Sequence, residues 1–229
     1  MAFQHSLLKA QRASAERIET LKHAISSDSL ALFPDYNQRL SVLKSLGYVD
    51  AASDTVELKG RVASQINTCE ELVLTELVFE GALADLDAAE LAALLSALVF
   101  QEKCDDVPSA TPGLMAACDA ARKIARSLGQ VQKKHGLAVD PKEYEKVALN
   151  FGLCDVVYSW ASGIPFRDIA SLTLIHEGSI VRTVTRLDEV CREVRQAARI
   201  IGNPVLFLAA QEASRLIKRD IVFFPSLYV

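Results

Sequence analysis

The stretch from His176 to Ile201 constrains the fold more than any other part of the chain. Ile180, Val184, Leu187, Cys191, Val194, Ala198 and Ile201 recur at alternating spacings of three and four, the signature of one apolar stripe on a long helix. A helix of that length with one greasy side must lie against other helices. Gly178 and Ser179 suit its start, because a serine hydroxyl can accept from an unpaired first-turn N–H. Arg182, Arg186, Glu189 and Glu193 fall on a second stripe and share another face. Arg192, Arg195 and Arg199 make the C-terminal end basic, which suits the helix dipole. A charged helix face is most often a salt-bridged, solvated surface. The sharper reading is a row of guanidinium groups offered to a phosphate chain.

The rest of the chain supplies helices for this one to pack on. The spacing predicts helix over residues 1 to about 27, a break from Ser26 to Pro34, and a short amphipathic helix from Asp35 to Leu46 closed by Gly47. Tyr48-Val49-Asp50 and Thr55 to Gly60 read as two short strands around a turn, the one β signal, as at the end of a winged-helix domain. From Arg61 the pattern is helical throughout. Helices are expected over Val62–Ile66, Glu70–Ala84, Asp87–Gln101, Leu114–His135, Pro141–Ser162, Pro165–Leu172 and Val205–Arg219. Asp140-Pro141 offers an N-cap followed by proline at the first helical position. The apolar tail Ile221–Val229 is expected to dock on the bundle. The fold class expected is therefore mostly α: a helical bundle with a small winged-helix-type β-wing near the N-terminus.

The net charge of −4 over 229 residues excludes a generally basic surface, so any nucleic-acid role must rest on a local patch. Five scattered cysteines, with no Cys-x-x-Cys, indicate neither a zinc site nor a disulfide framework and fit a reducing compartment. There is no signal-peptide pattern and no apolar run that could span a bilayer. Phosphate loops, dinucleotide fingerprints, nucleophile elbows and His-Glu-x-x-His are all absent. The four histidines are too dispersed to share a metal. Trp160 beside Tyr158 could stack a base, but among apolar neighbours it reads as core. Nothing here argues for a self-contained enzyme: no catalytic residue, metal or cofactor is expected within the chain.

Several longer stretches carry a resemblance. They are Arg39–Val49, Val56–Ala63, Glu71–Glu80, Leu94–Glu102, Glu177–Arg182 and Lys218–Phe223, in that order along the chain. Together they resemble the C-terminal (DSHCT) region of the DExH-box RNA helicases that feed the RNA exosome. Arg186 to Val194 is similar to the cytoplasmic superkiller (Ski complex) branch in particular. Phe224-Pro225 departs from the family, which usually has two alanines before Ser-Leu-Tyr. The resemblance implies an arch-insertion remnant over 1–30, the end of a winged-helix domain over 31–67, and a helical bundle over 68–229 with a ratchet helix at 178–201. It also implies that Arg186 and Glu189 contact single-stranded RNA, with Arg182 one turn earlier on the same face. Ser179 and Arg192, on the same helix, complete the expected RNA-binding set. The partners so implied are RNA, the RecA-like domains of the same polypeptide, which hold ATP and Mg, and Ski complex subunits with the exosome, in the cytoplasm and away from membranes. The chain would then be a fragment of an ATP-dependent helicase acting in 3′–5′ mRNA decay. Two other readings stay open: a helical scaffold whose charged face binds protein, and the equivalent domain of a DNA helicase.

Overall fold

The structure is a computed structural model and describes residues 12, 14–22, 32–102, 104, 108–219 and 222. Residues 14–22 (α1) are helical and exposed. Then follow α2 (Phe33–Ser45), α3 (Leu58–Ala63), α4 (Glu71–Phe79), α5 (Ala88–Ser96), α6 (Pro112–Lys134), α7 (Pro141–Ala148), α8 (Cys154–Ala161), α9 (Phe166–Ala170), α10 (Glu177–Ile201) and α11 (Pro204–Ile217). The expected docking of the tail falls outside the described residues, apart from Val222, which is buried.

Local signals explain where several helices begin. Asp87 opens α5 with a reciprocal capping box, its carboxylate taking the Ala89 and Glu90 amides while Glu90 takes the Asp87 amide. Thr111 and Asp140 cap α6 and α7, each followed by proline at the first helical position. The single helix expected over Pro141–Ser162 is broken: Asn150, extended, caps a short 3-10 turn at Phe151–Leu153 before α8 starts. Trp160 is fully buried, its indole N–H donating to the Ile217 carbonyl at 3.0 Å.

Helix α5 is the centre of the bundle. Its Leu91, Leu94 and Leu95 are fully buried, and α6, α8, α10 and α11 all pack against it. Helix α10 lies mainly against α11, with α5 and α3 on its flanks. A smaller cluster, Tyr48, Val49 and Ala63, sits between α2 and α3, backed by Leu40, Leu43, Leu46 and Leu72.

The β-wing expected near the N-terminus is not there, and the fold is helical. Among the described residues no strand forms; Val49 and Val56 make one isolated antiparallel bridge. Two hydrogen bonds flank it, Asp50 N–H to Thr55 O at 2.8 Å and Glu57 N–H to Tyr48 O at 3.0 Å. A ribbon that short cannot build a sheet, and two isolated strands are marginal at best. The intervening turn is instead held by the Asp50 carboxylate, which takes the Ala52 and Ser53 amides. Residues 58–60, expected in the second strand, are the first turn of α3. Gly60 permits this: a Cβ there would stand 2.4 Å from the Tyr48 carbonyl oxygen, so α3 can close onto the bridge only with glycine. Helical placement also lets Lys59 pair with buried Glu76 at 2.7 Å and lie 5.0 Å over the Tyr48 ring, while the Tyr48 hydroxyl donates to Glu76 at 2.8 Å. A strand would point Lys59 elsewhere and leave Glu76 without its cation.

Candidate nucleic-acid interface

The site is the outer face of α10. Ile180, Val184, Leu187, Cys191, Val194 and Ala198 are all buried, which fixes the rotation of the helix about its axis. With those side chains inward, Arg182, Arg186 and Glu189 must point out, and each is exposed. Gly202, in the left-handed conformation at φ 79°, ends the helix and turns the chain into α11.

The expected RNA contacts occupy different environments. Arg182 keeps 76% of its side chain exposed; its guanidinium donates to Ser179 Oγ at 2.9 Å and lies 3.6 Å from the Glu102 carboxylate. Arg186 donates to the Thr68 carbonyl at 3.3 Å and has no carboxylate partner among the described residues. Glu189 is half exposed and pairs with Arg192 at 3.2 Å. Arg192 also donates to Asp188 at 2.6 Å, so its guanidinium is held by two acids. Ser179 lies beneath the face: it is the third residue of α10, buried, and its hydroxyl donates to Glu102. The N-cap is His176, which makes no side-chain capping bond, so the start expected at Gly178-Ser179 comes earlier. Ser179, Thr183, Arg182 and Arg186 line a cleft of about 270 Å³ closed on its other side by Val99 to Glu102.

The roles of three neighbours of this face escaped the sequence reading. Asp188, 1% exposed, sits inside the helix–helix contact and accepts from Arg192, from the Ser214 hydroxyl at 2.6 Å and from Lys218 at 2.8 Å. Burial alone would raise its pKa, but the bonds from Lys218, Ser214 and Arg192 outweigh burial and hold the carboxyl below the ordinary aspartate range. Its one sequence signal was an acid at the edge of an apolar stripe with Arg192 four residues on. Glu193, read as part of the charged face, is instead a tether: its carboxylate accepts from the Asn67 amide at 2.9 Å and from the Thr68 amide and hydroxyl at 3.1 and 2.9 Å. Glu102 reaches Ser179 across a sequence gap of 77 residues, which no local pattern could reveal.

Fold and face together define an all-α bundle domain that holds one long helix with a mixed-charge outer side. The chain belongs to the DSHCT (NUC185) domain family, which matches residues 53–224. It is 44% identical over 93% of its length to the DExH-box ATP-dependent RNA helicase DExH11 of Arabidopsis thaliana, of which it covers 16%. It is 44% identical over 98% of its length to Superkiller complex protein 2 of Homo sapiens, covering 18% of it. To the Exosome RNA helicase MTR4 of Homo sapiens it is 41% identical over 83% of its length, again covering 18%. The chain thus spans under a fifth of these relatives. No helix among the described residues is long and apolar enough to cross a membrane.

Proposed function

We propose that this chain is the C-terminal RNA-guiding domain of an ATP-dependent RNA helicase of the superkiller type, and that α10 lies along single-stranded RNA. The observation that carries it is the set Arg182, Arg186 and Glu189, side by side on the solvent face of a 25-residue helix whose opposite face is the core. An arginine fork takes a phosphate bidentately, and a carboxylate accepts from a base amino group or a ribose hydroxyl. A face of mixed sign binds each nucleotide weakly, which suits a strand that must move. ATP and Mg would belong to RecA-like domains elsewhere in such a helicase. The names of the relatives, a superkiller complex protein and an exosome RNA helicase, support Ski complex subunits and the exosome as partners and RNA as substrate; a cytoplasmic setting and 3′–5′ decay belong to the same proposal.

The test is RNA binding by this chain and by the helicase that contains it. Affinity should fall with rising salt, and Arg186→Ala should weaken it by about 1–3 kcal/mol. RNA affinity unchanged by both Arg186→Ala and Glu189→Ala would leave the charged face to a protein partner. Equal competition by RNA and DNA strands of one length would instead favour the DNA-helicase equivalent.

A further inference from the structure

Basic residues continue past Glu189 on an adjacent flank of α10, roughly a quarter turn round the axis from Arg182, Arg186 and Glu189. Arg192 and Arg199 lie seven residues apart, two full turns, and so share one side of α10. Arg199 is about 20 Å along the axis from Arg186. There the helix ends, and Arg199 stands 5.0 Å over the ring of Phe207 on α11. Ala198, Arg199, Gly202, Asn203, Pro204 and Phe207 line an open cleft of about 470 Å³ at this corner. Among the described residues no carboxylate pairs with Arg199, whereas Arg182 has one and Arg192 two. The corner therefore offers a flat aromatic ring, an unneutralised guanidinium and a space larger than one nucleobase.

We infer that the Arg199–Phe207 corner is a base-stacking subsite for single-stranded RNA, a second point of contact beyond Arg186 and Glu189. The inference rests on the proposed RNA role of α10 and carries the strand obliquely across the helix, from the Arg182–Glu189 face to the flank at its C-terminal end. A base stacks on an aromatic or guanidinium plane whatever its sequence, and the same guanidinium can hold the adjacent phosphate. The two contacts divide the labour along the strand: the first grips phosphate and ribose at mid-helix, the second registers the passage of each base.

The test uses this chain, with oligouridine strands long enough to run from Arg182 past Arg199, shorter ones that span only Arg182 to Glu189, and long strands carrying abasic sites. Phe207→Leu keeps the bulk and removes the π-face; Arg199→Ala is a surface change and repeats the test should Phe207→Leu fail to fold. Each is expected to weaken the long strand about tenfold, to leave the short strand unchanged, and Phe207→Leu is expected to have no effect on the abasic strand. Arg186→Ala should weaken all three. Loss with Arg186→Ala but none with Phe207→Leu or Arg199→Ala overturns the subsite, leaves the RNA face standing and gives the corner to a protein partner. Loss by Phe207→Leu equally on long and abasic strands also overturns stacking. No loss with any variant, or no RNA binding at all, overturns the RNA reading itself.

Discussion

The inward and outward faces of α10 are built from interleaved residues of one helix and obey opposite rules. Leu187 and Asp188 are buried, while Arg186 and Glu189 on either side of them are exposed. The inner face gains from being fully enclosed: its apolar side chains fill the contact with α5 and α11, and its one charge, Asp188, is satisfied by three donors. The outer face is left open, with Arg186 bonded, among the described residues, only to a carbonyl. Fixing the inner face is what aims the outer one. Buried and exposed roles can therefore be separated residue by residue along a single turn.

Substitutions that break this division come first in size. Leu187→Ala should destabilise the chain by about 2–5 kcal/mol, the range for emptying a closed core site, as read from chemical denaturation. Smaller is Asp188→Ala, at roughly 1.5–3 kcal/mol for hydrogen bonds to a charged group. Its effect has a pH signature. The folded carboxyl titrates below the unfolded one, so its stabilisation is present above the ordinary aspartate pKa and is lost as the pH falls through the lowered folded value. Asp188→Asn should therefore flatten the acid limb of a stability–pH profile; an unchanged limb would show that the inner charge is not what fixes the helix.

Glu193 tests the boundary between the faces. Glu193→Ala frees the Asn67 and Thr68 amides and should cost about 1–2 kcal/mol, with faster amide exchange at those two positions measured by NMR. Arg186→Ala and Arg182→Ala come last for stability, within about 0.5 kcal/mol as surface changes, measured by thermal unfolding. If either cost as much as Leu187→Ala, the outer face would be structural and the comparison would fail.

How much of this was legible in advance follows from the range of each interaction. Trp160 was read as core from its apolar neighbours, and the cap at Asp140 and the long amphipathic α6 lie within a few residues of their cause. The wing misled because Val49 and Val56 have the alternation of strands, and a single bridge does form. What overrode it was Gly60 against Tyr48 and Lys59 over Glu76, contacts set by how α3 meets α2 and α4.

The sequence by itself determined that α10 is a long helix with one greasy and one charged side, because helical periodicity is written in local spacing. Only the tertiary structure decided which charges remain available. It turned Ser179 beneath the face, committed Arg192 to Asp188 and Glu189, spent Glu193 on the 67–68 loop, and left Arg186 and Arg199 without an acid among the described residues. The reason is physical: a charge is neutralised by whatever stands within a few ångströms, and those neighbours arrive from segments up to 126 residues away.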